Sequence, residues 1–336
     1  MKFFLYVLLI LWMPISSKDL VVSFGSCIDQ DMPQDFWKDI LKENPDVFIM
    51  LGDNIYKDSE KAAEKRKEYA KVKNHPDFIS LKKKSEILYT WDDHDYGLND
   101  SGSEYSEKDL SKEIFFEFTD EPKNSARRKR NGVYDSRILN YGKRKIQIIL
   151  LDTRYFRSPL KTGWFSFNKS PNYIANYDPE ATLLGREQWE WLESEIQKPA
   201  DVRLLISSIQ FHNDYHKFEK WGNFPLEKEN FYSLLRKHSV KNFIIISGDR
   251  HIGEYHKIQE KGLPLMYELT TSPLNKIMEF KVTEPFHPDR IGDFTQKANF
   301  GTVRFHETGR KLEISLELHE IQGETRRIQF STEDMK

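Results

Sequence analysis

Acidic, phenolic and basic side chains follow short apolar segments at four points in the chain. They are Asp53 with Tyr56; Asp92, Asp93 and His94; Asp152 with Arg154; and Asp249 with His251. A short continuous apolar run is typical of a buried parallel strand, and α/β proteins carry their chemistry beyond the carboxyl ends of such strands. One acid after a strand usually caps a turn or the next helix. Four such places together predict a single shared site.

Cys27, the only cysteine, ends a further apolar segment that begins at Leu20 and contains Gly25. A single cysteine cannot form an intramolecular disulfide, so it is available for another role. A buried free thiol that packs as a small hydrophobic group is the alternative. The glycine turn predicts that the Cys27 sulfur lies at the same sheet edge as Asp53.

The combination of thiolate, phenolate, carboxylate and imidazole groups favours a metal site over a proton-transfer pair. Paired carboxylates alone would indicate a glycosidase, but that chemistry has no role for Cys27 or Tyr56. A serine nucleophile is not supported, because the chain has no Gly-x-Ser-x-Gly segment. The residue types therefore predict metal-assisted chemistry.

The composition predicts a packed protein with a soluble surface. Aromatic residues make up 13% and charged residues 31% of the 336 residues, and these fractions do not indicate disorder. The formal net charge is −2, which gives no nucleic-acid-binding signature. We expect a monomer that recognises a small substrate locally.

The N-terminus has the pattern of a secretory signal. Lys2 is followed by apolar residues 3–12 and then by Pro14, Ser16 and Ser17. We expect cleavage near Ser17, with an uncleaved anchor as the alternative, and no integral membrane segment afterwards. The mature chain, 18–336, is then expected to be one exported domain, periplasmic, secreted or in the endoplasmic reticulum and extracellular space according to the host.

Helical and strand patterns alternate along the chain, and the C-terminal part changes to alternating strands. Helices are predicted over residues 34–43, 57–84, 112–118, 185–196 and 228–238. A hairpin is predicted over residues 132–151, and the closing antiparallel strands begin near residue 267. The basic run 127–130 is expected in an exposed loop, and residues 163–178 in a loop over the site. Within the latter, Asn168 is a glycosylation acceptor only if the host glycosylates exported proteins.

Seven short motifs occur in a fixed order along the chain. They are Ser26-Cys27, Gly52-Asp53-x-x-Tyr56, Trp91-Asp-Asp-His-Asp95, Leu151-Asp-Thr-Arg154, Ser207-Ser-Ile-Gln210, Trp221-Gly-Asn-Phe-Pro225 and Ser247-Gly-Asp-Arg-His251. This series resembles that of the PhoD-like alkaline phosphatases and phosphodiesterases, a family of the calcineurin-like metallophosphoesterase superfamily, over residues 22–301. The resemblance implies an α/β fold in which two packed sheets form a sandwich flanked by helices.

The resemblance also implies a set of metal ligands. Asp53 would bridge two ions, with the other ligands being Cys27, Tyr56 and His251 around one ion and Asp93 and Asp249 near the other. Asp92 could exchange roles with Asp93. The wider superfamily usually has Asp-x-His in its first motif and Gly-His-x-His in its last, so this chain offers fewer histidines.

The identity of the metals follows from the ligand types. Thiolate and phenolate ligands suit ferric iron, and a carboxylate-rich position suits calcium. Members of the family that this chain resembles are known for the same combination. We therefore expect Fe3+ and Ca2+ in a binuclear or larger centre, in preference to zinc or manganese.

The expected reaction is attack of a metal-activated hydroxide on phosphorus, without a covalent enzyme intermediate. Arg154 is predicted to hold the phosphate oxygens, with an ion pair to Asp152 as the alternative. His94 is predicted to protonate the leaving oxygen or position the phosphate, with orientation of a metal ligand as the alternative. His212 is a candidate substrate-binding residue on a loop at the site.

Three functions remain open from the sequence. The favoured one is an exported phosphoesterase that hydrolyses phosphomonoesters, phosphodiesters or both. An exported phospholipid hydrolase would need an apolar entry, for which the aromatic loop 164–177 is the only indication. A non-catalytic protein that keeps the metals for structure and binds a phosphorylated ligand is the third.

Overall fold

The computed structural model describes residues 18–163, 172–279, 281–309 and 311–335. The predicted signal segment and the candidate acceptor Asn168 lie outside these residues, as does part of the aromatic loop. Within the described residues there are thirteen strands and seven α-helices. The strands are β1 (Leu20–Gly25), β2 (Val47–Met50), β3 (Glu86–Tyr89), β4 (Asp135–Tyr141), β5 (Arg144–Leu150), β6 (Val202–Ser207), β7 (Phe243–Ser247), β8 (Gly253–Ile258), β9 (Met266–Thr271), β10 (Arg290–Thr295), β11 (Asn299–Thr308), β12 (Lys311–Glu320) and β13 (Thr325–Ser331). The helices are α1 (Phe36–Glu43), α2 (Ala62–Lys73), α3 (Pro76–Lys82), α4 (Asp93–Tyr96), α5 (Lys108–Phe118), α6 (Gly185–Ile196) and α7 (Pro225–Lys237).

The strands form two sheets that pack face to face. The first has the order β13-β12-β11-β1-β2-β3, and the second has the order β10-β8-β9-β7-β6-β5-β4. Strands β1, β2 and β3 are parallel, as are β5, β6, β7 and β9, whereas β11, β12 and β13 pair antiparallel. The predicted two-sheet α/β sandwich and its antiparallel C-terminal strands are confirmed.

Apolar side chains explain why the sheets stack and why helices cover them. The central core joins inward-facing residues of both sheets, such as Val22 and Phe24 from β1 with Ile148 from β5. Strands β6 and β7 are buried along their whole length, as expected for parallel strands covered on both faces. A second apolar cluster lies under α1, α3 and α5, and a third lies under α6 and α7. The helices therefore flank the sandwich on its two outer faces.

The predicted helix over residues 57–84 is two helices. Pro76 occupies the first turn of α3, and the His75 side chain accepts a hydrogen bond from the Asp77 backbone N–H. The lysines of this region were expected on a solvated face, but Lys65 is buried. Its Nζ donates to the carbonyl oxygens of Asp95 and Tyr96 and to Ser111 Oγ.

The basic run is also less exposed than expected. Arg127 is buried within a short 3-10 turn, where it donates to Glu121 and to the Val133 carbonyl. The predicted hairpin is confirmed as β4 and β5. No helix in the described segments has the length and apolarity needed to cross a membrane.

Candidate metal centre

The parallel strands of both sheets bring their carboxyl ends to one edge of the sandwich. Cys27 follows β1, Asp53 follows β2, and Asp249 and His251 follow β7. All four have left-handed backbone angles, with φ of 60°, 49°, 64° and 53° respectively. Such angles cost non-glycine residues on the order of 1–3 kcal/mol each and cluster at functional sites. The tight turns point these side chains into one region.

Gly52 allows the loops after β2 and β3 to approach each other. Its φ is +112°, and a Cβ there would lie 2.7 Å from Asp92 Cβ and 2.9 Å from the Trp91 carbonyl carbon. A larger residue would push Asp53 and Asp92 apart. The glycine of the Gly-Asp motif therefore sets the spacing of two candidate ligands.

Asp95 holds these loops in register. Its buried carboxylate accepts hydrogen bonds from the Asn54 and Asp92 backbone N–H groups and from the Tyr69 hydroxyl. Five donated bonds satisfy it, two of them from the Asn54 N–H and one from the Asn54 amide. Asp95 thus fixes the backbone that carries Asp53 and Asp92.

The first group of candidate ligands contains a thiol, a phenol, an imidazole and a carboxylate. One ligand atom each from Cys27, Asp53 and His251 lies within 4.8 Å of the others. The Tyr56 hydroxyl is 3.0 Å from both Asp53 Oδ2 and His251 Nε2. His251 Nδ1 donates to the Lys276 carbonyl at 2.5 Å, so Nε2 presents its lone pair to the group.

The second group consists of carboxylates. Asp53, Asp92, Asp93 and Asp249 each have an oxygen within 4.8 Å of the others. Asp92 Oδ1 accepts hydrogen bonds from Arg154 Nε and Ser208 Oγ, while Asp92 Oδ2 is buried without a partner among the described residues. Asp93 Oδ2 accepts from the Asp100 backbone N–H, and its Oδ1 likewise accepts no hydrogen bond there. Both aspartates therefore keep one oxygen for a cation.

The pKa shifts in the two groups also indicate that they would bind cations. Burial, followed by the charges of Asp93 and Cys27, raises the pKa of Asp53 well above its ordinary value. Burial, followed by the charges of Asp92 and Asp93, does the same to the pKa of Asp249. Burial also raises the pKa of the Cys27 thiol to about 12. Protein groups alone do not stabilise these anions together, whereas metal ions would.

His94 lies beside these groups and lines the same cavity. Its Nδ1 is 2.5 Å from Asp58 Oδ1, and its ring centroid is 4.3 Å from that of Tyr56. Burial favours the neutral ring, but the carboxylates of Asp93, Asp53 and Asp58 outweigh burial and raise the pKa of His94 to about 11. The side chain is thus oriented by Asp58, and its role in catalysis stays a prediction.

Arg154 is enclosed behind the carboxylates. Its side chain is 0% exposed, with Nε 2.5 Å from Asp92 Oδ1 and Nη1 2.5 Å from Glu219 Oε2. Arg154 therefore forms ion pairs with Asp92 and Glu219, and not with Asp152 as considered from the sequence. Asp152 accepts a hydrogen bond from the Arg154 backbone N–H. The described residues that line the cavity do not include Arg154. Its predicted contact with phosphate is untested.

His212 lies at a different cavity, of about 370 Å³, that also includes His287 and Asp289. Its Nε2 is 2.9 Å from Asp289 Oδ2. The structure does not bring His212 to the described lining of the candidate metal centre. Its assignment to substrate binding also stays a prediction.

The cavity at the metal centre has a volume of about 390 Å³. Its lining includes six residues that were not singled out from the sequence: Asn99, Asp100, Phe218, Glu219, Arg250 and Met278. Arg250 lies inside the Gly-Asp-Arg-His motif and could have been found there. Phe218 and Glu219 belong to an aperiodic loop, where no sequence signal marks them. Ser272 was also missed; its hydroxyl donates to Cys27 Sγ at 3.0 Å.

Comparisons with known proteins identify the family and the fold of this chain. The model of the PhoD-like phosphatase family matches residues 22–320. Alkaline phosphatase D of Bacillus subtilis (strain 168) is 25% identical over 111 residues, which are 30% of this chain but only 18% of the relative's length. A solved structure of PhoD has a TM-score of 0.67 at 16% identity, with 93% of this chain and 72% of that chain covered, and it shows the same fold. The structure of Vps29 from Chaetomium thermophilum is 6% identical, with 93% of this chain and 97% of that chain covered. Its TM-score of 0.33 is too low to indicate a shared fold. The family match over most of the chain shows that this protein belongs to the PhoD-like phosphatase family.

Proposed function

We propose that this protein is an exported, metal-dependent phosphoesterase that hydrolyses phosphomonoesters, phosphodiesters or both, best at alkaline pH. The observation that carries the proposal is the position of Asp53, which belongs to both groups of candidate ligands. A carboxylate shared in this way suits a bridge between two ions. Export rests on the predicted signal at residues 1–17, and we propose a monomer.

The ligand sets follow from the donor types. We propose Fe3+ at Cys27, Tyr56, His251 and Asp53, and Ca2+ at the carboxylate group that contains Asp53, Asp92, Asp93 and Asp249. Asp93 lines the cavity and Asp92 does not, so Asp93 is the better placed of the two for a ligand that faces substrate. Two such ions would supply Lewis-acid polarisation of the phosphate and a lowered pKa for the attacking water.

The charge of the cavity supports this dependence on metals. Its described lining carries the carboxylates of Asp53, Asp93, Asp100, Glu219 and Asp249. An excess of carboxylates repels a phosphate anion, so cations must bind before a phosphate ester can. The same residues therefore hold the metals and make substrate binding conditional on them.

His94 is proposed to protonate the leaving oxygen. Its ring lines the cavity and lies against the Tyr56 ring at an interplanar angle of 37°, and its Nδ1 contacts Asp58. Burial lowers the pKa of His94, but the contact of Nδ1 with the Asp58 carboxylate raises it and so favours the protonated ring that a proton donor requires. The Asp58 contact fixes which ring nitrogen faces the cavity.

Arg154 is proposed to act through the carboxylates instead of on the phosphate. Its guanidinium is committed to Asp92 and Glu219, and its Nη2 lies 3.8 Å from Asp93 Oδ1. A buried cation at this place neutralises part of the acidic charge and orients Asp92. The phosphate clamp expected from the sequence remains the alternative, because Arg154 Nη2 has no hydrogen-bond partner among the described residues.

Replacing Arg154 by Ala is expected to reduce metal content and to lower Tm by at least about 5 °C, because buried carboxylates lose their counter-charge. Metal analysis and thermal unfolding on the same preparation measure both effects. Arg137→Ala, which removes an exposed arginine paired with Glu86, is the control. If the variant keeps its full metal content and its Tm but loses activity tenfold, the result would support direct binding of phosphate by Arg154.

A panel of substrates tests the function itself. The purified mature protein is assayed with p-nitrophenyl phosphate, bis(p-nitrophenyl) phosphate and phosphatidylcholine vesicles, and its metals are determined in the same sample. Turnover of either nitrophenyl ester that is lost on chelation supports the proposal. Turnover of the vesicles alone would favour the phospholipid hydrolase, and stoichiometric metal without any turnover would favour the binding protein.

A further inference from the structure

Arg250 lines the cavity but belongs to neither group of candidate metal ligands. It lies between Asp249 and His251 in the loop after β7, and the residue is 4% exposed. The described lining of the cavity contains no other arginine and no lysine. Arg250 is therefore the permanent cation that a phosphate would meet there besides the metal ions.

Two contacts hold the Arg250 guanidinium in place. Nη2 donates a hydrogen bond to Glu284, and the guanidinium carbon lies 4.4 Å from the ring centroid of Phe218. Its Nε is buried and has no hydrogen-bond partner in the described part of the chain. A planar cation with a fixed orientation and an unused donor is suited to an oxyanion. Arg154 also has one donor without a partner among the described residues, Nη2, but it lies outside the described lining of the cavity.

We propose that Arg250 binds a terminal phosphate oxygen of the substrate and favours phosphomonoesters over phosphodiesters. This inference rests on the proposed function and assigns the substrate class of the same site. At alkaline pH a monoester presents three terminal oxygens and two negative charges, whereas a diester presents two oxygens and one charge. Arg250, which is not a metal ligand, would bind the additional terminal oxygen of the monoester.

The other acids of the cavity make this cation necessary. Asp100 and Glu219 also line the cavity and lie outside both proposed ligand sets. Glu219 is paired with Arg154 and Arg157, but the Asp100 carboxylate disfavours a dianion more strongly than a monoanion, so a monoester needs a compensating charge beyond the metals. Arg250 supplies that charge in a fixed position.

Arg250→Met tests the inference by a comparison of two substrates. We expect kcat/KM for p-nitrophenyl phosphate to fall at least about tenfold and kcat/KM for bis(p-nitrophenyl) phosphate to change by no more than about twofold. Arg250→Lys should recover part of the monoester activity, since it keeps the charge but loses the planar fork. Arg290→Met is the matched control, because Arg290 also pairs with a glutamate and lies over a phenylalanine ring but is outside the described lining.

Binding to the metal-loaded protein tests the inference without turnover. Calorimetry should show that Arg250→Met weakens inorganic phosphate at least about tenfold and leaves diethyl phosphate nearly unchanged. A protein that binds in this way but cleaves neither ester would refute the proposed function and support this inference. Equal losses for monoester and diester, or a parallel loss of metal, would overturn the role given to Arg250.

Discussion

Asp53→Asn is expected to lower kcat by at least about a thousandfold and to weaken both metal ions. Asp53 belongs to the carboxylate group and also contacts Tyr56 and lies close to Cys27. An amide has nearly the same shape but carries no charge and offers one oxygen in place of two. The loss should therefore appear in metal content and turnover together, measured on one preparation.

The stability of this variant should depend on the metals. In the metal-free protein, Asp53→Asn removes one of four acids that share a buried space, so its Tm should equal or exceed that of the metal-free parent. In the metal-loaded protein the same change should lower Tm, because a bridging ligand is lost. Asp31→Asn, at an exposed acid, is the control. Activity within a few-fold of the parent, with both metals retained, would remove Asp53 from the bridging role.

The sequence was informative where function depends on local structure. Asp53, Asp249 and His251 each lie a few residues beyond the end of a buried apolar strand, so the parallel topology places each of them at the carboxyl edge of its own sheet. The left-handed turns that aim them could not be read from residue types, because most aspartates and histidines do not adopt such angles, although both are enriched among the non-glycine residues that do. These angles depend on packing by both sheets.

The sequence was less informative where a side chain is placed by a distant partner. Arg154 lies outside the described lining of the cavity, and its Nη1 donates to Glu219, which is 65 residues further along the chain. Glu219 lies in an aperiodic loop, so neither its burial nor its pairing has a local signal. In sequence Lys65 resembles any surface lysine of a helix. In the structure its Nζ is buried and donates hydrogen bonds to the carbonyl oxygens of Asp95 and Tyr96 instead of to water. Both arrangements are tertiary, and no local propensity predicts them.

The metal assignment has its own visible consequence, because ferric iron bound by a phenolate and a thiolate gives a ligand-to-metal charge-transfer band. The concentrated protein should therefore be coloured. Tyr56→Phe should bleach most of the band, since the Tyr56 hydroxyl lies 3.0 Å from both Asp53 Oδ2 and His251 Nε2. Cys27→Ser should shift the band and reduce iron retention. Absorption spectra and iron analysis measure both changes.

The colour is informative because the ligands would not ionise without a cation. Burial and the nearby Asp53 charge raise the pKa of Tyr56 well above its ordinary value, and burial raises the pKa of Cys27 to about 12. A phenolate band at neutral pH thus reports a strongly charged metal against that hydroxyl. Tyr89→Phe, in a buried tyrosine of the helix-covered core, should leave the spectrum unchanged.

Selective removal of calcium separates the two ions. A carboxylate site with oxygen ligands exchanges faster than one held by a thiolate, so a calcium chelator should abolish activity while the colour persists. Readdition of calcium should then restore turnover without a change in the spectrum. A fully active, colourless protein with stoichiometric zinc and no iron would refute the iron assignment, because a filled d shell gives no such band. The phosphoesterase proposal would stand in that case, since the carboxylate geometry that carries it is independent of which metal binds.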